Sequence, residues 1–314
     1  LPLHLLPDTA EVTATGGLSI GGLAVDDLVS EYGTPLFVYD TAHIRERCRQ
    51  AVEAFGDTAV YAAKAFLCRA IAALVHEEGM RIDVSTLGEL ATALAAGVPG
   101  DRLVMHGNNK SEAELRAALD AEVGLIVVDS FDEIDRLERL LEADRARPTV
   151  MLRITPGVEA HTHEFVRTGH DDSKFGFTVS TGAADRALDR VIESPFLDLV
   201  GVHAHIGSQV FREESFAEAA AIVARYAVDR GLTEMSIGGG LGVPYVEGET
   251  APTITDWSKS IHDGVRTAGF EGRIWAEPGR SIVAAAAVTI YRVGTIKEIP
   301  GVRTYVAVDG GMSD

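Results

Sequence analysis

From about residue 35 to residue 281, short apolar runs alternate with amphipathic ones. The apolar runs are four to eight residues long, rich in Val, Ile and Leu, and bounded by Gly, Asp, Ser or Thr, which predicts strands. They lie near 60–64, 81–85, 102–106, 125–129, 149–155, 199–206, 234–237 and 273–277. Between most of them apolar residues recur at spacings of three and four, which predicts helices over 87–96, 112–119, 131–141, 213–228 and 255–268. Eight strands with intervening helices are the count of an α/β (β/α)8 barrel, and a doubly wound sheet is the competing topology. No internal repeat or low-complexity tract interrupts the pattern.

The two ends read differently. Residues 10–23 are rich in Gly and Thr with strand-like alternation, and strand patterns return over 288–296 and 303–309. This predicts a barrel over 35–281 and a second, β domain contributed by 1–34 and 282–314. Strands from these pieces alone would leave open edges, so the expectation is a truncated β domain in a chain that ends early.

Composition narrows the function classes. The 314 residues are 46% hydrophobic and 24% charged, ordinary for a globular protein. The formal net charge of −19 argues against nucleic acid or another polyanion as partner, so an anionic ligand must be held by local donors. Cys48 and Cys68 are too few for a disulfide framework, and no apolar run approaches the roughly 18 residues of a membrane span. The start, Leu1-Pro-Leu-His-Leu-Leu-Pro7, lacks a basic leader region. A cytoplasmic protein with a small-molecule substrate is the expectation.

Candidate chemistry gathers at the ends of the predicted strands. Lys64 sits at the tip of the first, where barrels place reactive groups and where a lysine can form a Schiff base with pyridoxal phosphate. In Val202-His-Ala-His-Ile-Gly-Ser-Gln209, alternation puts His203 and His205 on one face. A metal pair, helped by His161 and His163, a packed core histidine, and an imidazole stacked on an aromatic cofactor with Ser208 donating to phosphate are the readings; the last fits best. Gly238, Gly239 and Gly240 follow the seventh strand, where barrels hold phosphate, and can turn their N–H groups inward as an anion nest. Glu277 and Arg280 close the eighth strand: a carboxylate there can keep a pyridine nitrogen protonated, and a guanidinium suits carboxylate or phosphate. Asp83 and Glu89 flank the end of the second strand. Ser111 with Glu114 predicts a capping box, whereas the preceding His106-Gly-Asn-Asn-Lys110 has no such simple explanation.

Together Tyr61-Ala-Ala-Lys64-Ala-Phe, His106-Gly-Asn-Asn-Lys-Ser111, His203-Ala-His-Ile-Gly-Ser-Gln209, Gly238-Gly-Gly-Leu-Gly242, Glu277-Pro-Gly-Arg280 and Val308-Asp-Gly-Gly-Met312 resemble the diaminopimelate decarboxylases, enzymes of the alanine-racemase-like barrel that use pyridoxal 5'-phosphate. The resemblance implies that Lys64 carries the cofactor, His205 stacks on its ring, and Ser208 with Gly238, Gly239 and Gly240 holds its phosphate. It further implies Glu277 at the ring nitrogen, Arg280 on substrate or phosphate, and Asp83 and Glu89 near the Schiff base. The implied reaction is decarboxylation of meso-2,6-diaminopimelate to L-lysine, in a homodimer whose sites are completed by C-terminal residues of the partner. Ser85-Thr-Leu-Gly replaces the family's usual Gly-Gly before Glu89. Two alternatives stand beside it: a racemase or another basic amino-acid decarboxylase on the same barrel, and a cofactor-binding protein or fragment without turnover. In a racemase an arginine would face the ring nitrogen, so Glu277 favours decarboxylation.

Overall fold

A computed structural model describes residues 2–141, 146–157 and 173–311. Eight parallel strands follow one another in order: β1 (Val60–Ala62), β2 (Arg81–Val84), β3 (Leu103–Met105), β4 (Leu125–Val128), β5 (Thr149–Thr155), β6 (Asp198–His203), β7 (Glu234–Ser236) and β8 (Arg273–Trp275). Each pairs with its sequence neighbour. β8 returns to β1 through a parallel bridge between Ala59 and Ala276, with Val60 N–H donating to Ala276 O at 2.9 Å and Ala62 N–H to Pro278 O at 3.1 Å. The predicted (β/α)8 barrel is the observed fold, and the doubly wound alternative is excluded by this closure.

Strict alternation along the strands divides their side chains between two cores. Tyr61, Ile82, Leu103, Met105, Ile126 and Met235 point outward into the large apolar layer under the helices. Val60, Val104, Leu125, Val127, Met151 and Trp275 point inward and fill the lumen. The helices start immediately beyond the strands because short polar residues cap them: Thr86 Oγ1 accepts from Glu89 N–H, Ser130 Oγ from Glu133 N–H, and Ser111 with Glu114 forms the expected capping box. The loops at the C-terminal ends of β2, β3 and β4 are therefore short.

The sequence reading differs in detail. β1 ends at Ala62, and Lys64 lies beyond it on a single 3-10 turn, Ala63–Ala65. Helices Val25–Tyr32, Thr41–Phe55 and Ala183–Ile192 were not anticipated. In Thr41–Phe55 the buried face is His43, Ile44, Cys48, Ala51 and Phe55, so small and polar residues dilute its apolar period. The run 288–296 is two strands: Ala287–Ile290 pairs antiparallel with Leu36–Tyr39, and Val293–Ile299 pairs with Arg303–Val308. The break falls at Tyr291 and Arg292, where Asp309 Oδ1 accepts from Arg292 N–H at 2.8 Å and turns the chain. The N-terminal strands Glu11–Val12, Leu18–Ile20 and Leu23–Ala24 form a separate antiparallel sheet.

Candidate active site

A cavity of about 440 Å³ opens at the C-terminal end of the barrel, within the usual range for small-molecule sites. Lys64, His205, Ser208, Gly239, Gly240, Glu277 and Arg280 all line it, brought there from the ends of β1, β6, β7 and β8. Asp83 and Gly238 stand behind its wall. Lys64 is exposed on its turn, with Tyr39 and Phe66, stacked at 4.6 Å between ring centroids, forming the wall beside it.

The glycine run and the loop after β6 are stitched into one cradle. Val210 N–H donates to Gly240 O and Gly242 N–H to Val210 O, both at 3.0 Å. Gln209, at φ +55°, reaches across with its amide, donating to Val243 O at 3.1 Å and accepting from Val243 N–H at 2.9 Å. A Cβ on Gly239 would lie 2.1 Å from Glu277 O, and one on Gly240 2.1 Å from Gly207 O. Only glycine lets the two backbones come this close. His205 Nδ1 accepts from Gly239 N–H at 3.2 Å, so its proton sits on Nε2. Burial first, then the Lys64 and Arg153 charges, hold the His205 pKa well below the ordinary histidine value, so the imidazole is neutral.

Beneath the cavity, inward positions near the C-terminal ends of the strands carry buried polar side chains from nearly every strand: Asp83, His106, Asp129, Arg153, His203, Ser236 and Glu277. Ser236 Oγ donates to Glu277 Oε1 at 2.9 Å, and His203 Nε2 lies 3.1 Å from Glu277 Oε2. His106 Nε2 is 3.4 Å from Oε1. Burial alone would push the Glu277 carboxyl up, but His203 and His106 beside it prevail and hold it well below the ordinary carboxylate range. His203 itself is driven down by burial against the pull of Glu277, so the pair is a carboxylate with a neutral imidazole donating to it. Asp83 is the opposite case. Burial pushes its pKa up, His106 and Lys64 pull back less, and neither of its buried oxygens has a hydrogen-bond partner. The environment thus moves the two carboxyls of one ring in opposite directions.

Arg153 pairs with Asp129 at 3.4 Å and lies 4.2 Å over the Phe175 ring, while Asp129 Oδ1 accepts from Gly176 N–H at 2.6 Å. Arg280 donates to Tyr245 Oη at 2.6 Å at the cavity mouth. Glu89 accepts from Ser85 N–H at 2.7 Å at the start of its helix. The stretch His106-Gly-Asn-Asn-Lys110 acquires a structural explanation: Lys110 Nζ is buried, donating to Gly107 O, Val127 O and Glu133 Oε1 at 2.6 to 2.7 Å, and so fixes the loop that carries His106. His161 and His163 lie outside the described residues. Among the described residues the ligand-bearing cluster is His106, His203 and Glu277, not His203 with His205. Sequence reasoning missed Arg153, Asp129, Ser236 and Gln209 as site residues; the first two share a detectable signal, each standing two positions beyond an inward apolar residue, Met151 and Val127.

A closed barrel with a lysine past β1, a glycine cradle past β7 and a buried carboxylate past β8 defines a pyridoxal-dependent barrel enzyme. Residues 41–284 match the family described as pyridoxal-dependent decarboxylase, pyridoxal binding domain. Within that class the chain belongs to the diaminopimelate decarboxylase family. It is 45% identical over 322 residues to the diaminopimelate decarboxylase of Halalkalibacterium halodurans, spanning 98% of this chain and 73% of the relative. It is 45% identical over 330 residues to that of Bacillus subtilis, spanning 98% and 74%. The crystal structure of the diaminopimelate decarboxylase from M. jannaschii in co-complex with L-lysine superposes with a TM-score of 0.90 at 32% identity, covering 98% of this chain and 74% of that one.

Proposed function

We propose that this protein decarboxylates meso-2,6-diaminopimelate to L-lysine and CO2, a proton replacing the lost carboxylate, as the last step of lysine synthesis. The observation that carries the reading is Glu277, a buried, ionised carboxylate in the wall of the cavity that Lys64 also lines. The donor set fits pyridoxal 5'-phosphate: an amine on an accessible turn, a cradle that any Cβ would fill, and an anion at the far wall. When bound, that group supplies a conjugated cationic ring that takes up the electron pair left at Cα as CO2 departs.

Lys64 would hold the cofactor through its amine, and Gly238, Gly239, Gly240 and Ser208 would hold its phosphate. His205, neutral and fixed by Gly239, presents an imidazole plane for stacking. Glu277 would hold a proton at the ring nitrogen, because an ionised carboxylate in a low-dielectric wall favours a cation beside it. Arg280 offers a guanidinium fork to a substrate carboxylate, and Asp83 supports Lys64 electrostatically from behind the wall. We assign the barrel to 35–281 and the β elements to 1–34 and 282–314. A cytoplasmic homodimer is the assembly that we propose. The apolar side chains exposed on the hairpin from Val293 to Val308, among them Ile296, Val302 and Val306, support an interface, and light scattering on the purified protein decides it.

The test is direct. The protein with pyridoxal phosphate and meso-diaminopimelate should release CO2 and L-lysine, and Lys64→Ala should lose both that turnover and the cofactor's lysine-bound absorbance. Absorbance without CO2 from the parent protein would instead indicate a cofactor-binding protein without turnover. A borohydride-trapped adduct on another lysine would overturn the assignment of Lys64.

A further inference from the structure

Glu277 is placed in the wall by its strand, but β8 ends at Trp275 and the residue itself lies two positions beyond it. Its carboxylate is held by side chains from other strands. Ser236, the last residue of β7, donates to Oε1 at 2.9 Å. His203, the last residue of β6, lies with Nε2 3.1 Å from Oε2. Because an ionised carboxylate only accepts, His203 must carry its proton on Nε2, leaving Nδ1 as a bare acceptor; Nδ1 is indeed buried with no partner. Ser236 is similarly constrained. Its oxygen accepts Gly238 N–H at 3.1 Å, which leaves its one hydrogen for Glu277. Both donors are thus committed to the carboxylate, one to each oxygen, and both are almost wholly buried, at 1% exposure each.

We propose that His203 and Ser236 are positioning residues that clamp Glu277, one on each oxygen, and so hold its carboxylate toward the cavity. This deepens the functional reading above and rests on it. Neither side chain lines the cavity, so neither acts on substrate directly. Ser236 adds a second function. Its hydroxyl joins Glu277 to the N–H of Gly238, so the groups proposed for the ring nitrogen and for the phosphate move as one rigid part. Other charged or titratable groups face Glu277 as well: His106 from beyond β3, Asp83 from β2, Arg153 from β5 and His205 beyond β6. Of these, none makes a hydrogen bond to it within 3.2 Å.

The experiment uses the full chain loaded with pyridoxal phosphate and compares His203→Asn, Ser236→Ala and Glu277→Gln with the pairs that combine them. Losing a hydrogen bond to a charged group should cut kcat roughly ten- to a hundredfold for His203→Asn, with KM within about twofold. Ser236→Ala should cut it less and also weaken cofactor retention. The pH at which the bound cofactor's absorbance changes should move down in both, since the ring nitrogen loses its proton more easily beside a loosened carboxylate. In the Glu277→Gln background His203→Asn should add no further loss, because it acts only through the residue already removed. Independent, multiplying losses, or an unshifted absorbance transition, would overturn the clamp. Should His203→Asn fail to fold, His203→Gln and Ser236→Ala carry the same two readouts. The absorbance arm needs bound cofactor but no turnover, so it remains decisive even if the proposed substrate proves wrong.

Discussion

Asp83 and Glu277 belong to the same buried ring and differ only in company. Glu277 has two donors on its oxygens and is held as a carboxylate; Asp83 has none, and burial pushes its pKa up. The same logic makes His203 and His205 a source of acid sensitivity. Both have pKa values lowered on folding, so between the unfolded value near 6.5 and the folded value the unfolded chain binds more protons. Their contribution is complete above about pH 6.5 and is lost as the pH falls below it. Asp83, whose pKa is raised, works in the opposite sense over the acid side of that window. The two histidines together should dominate, so the thermal midpoint should fall from pH 7.5 to pH 5.5. In His203→Asn the drop should be smaller. An equal drop in that variant would show that the acid sensitivity lies elsewhere.

Among the elements, the helix starts were the most legible part of the sequence, because a cap needs only local residues: Ser111 and Glu114 form the capping box that their spacing predicts. All eight barrel strands were legible too, since β-branched runs bounded by polar residues need no partner to be recognised. What escaped was whatever depends on a partner distant in sequence. Lys110 has no evident task until β4 supplies Val127 O and the next helix supplies Glu133. Gln209 reads as a loop amide until Val243 comes alongside. The cavity followed the same division: Lys64, His205, Gly239, Gly240 and Glu277, which line it, were singled out from local motifs, whereas Ser236 and Arg153 needed the closed lumen to acquire a meaning. The Lys110–Glu133 pair permits a clean test. Lys110→Met strands a buried carboxylate and should lower stability by about 3–5 kcal/mol, whereas Lys110→Met with Glu133→Leu should recover half or more of that. Urea midpoints of the two variants check it; a double variant no better than the single one would mean that the charge pair, not its burial, stabilises the loop.

For the whole molecule, the barrel depends on a seam where its first and last strands meet with little sequence between caps and closure. Thr58, 5% exposed, donates its hydroxyl at 2.6 Å toward Ile274 O and Phe55 O, and its own carbonyl accepts Ala276 N–H. Thr58→Val keeps the volume but leaves buried carbonyl oxygen without its donor, and should cost about 1–3 kcal/mol. Hydrogen exchange should then speed first in β1 and β8; uniform acceleration around the barrel would show that the seam is no weaker than the rest. The lumen below the polar ring has another consequence. Val60, Val104, Leu125, Val127, Met151 and Trp275, none more than 5% exposed, stopper the barrel from beneath. In the described part of the barrel traffic is therefore confined to the C-terminal end, where the cavity opens. Diaminopimelate arriving, lysine departing and carbon dioxide escaping must all use it, so reactant and product queue for the same passage. L-Lysine added to the assay should raise the apparent KM and leave kcat unchanged. A fall in kcat at saturating diaminopimelate would show that lysine also binds when the substrate's place is filled.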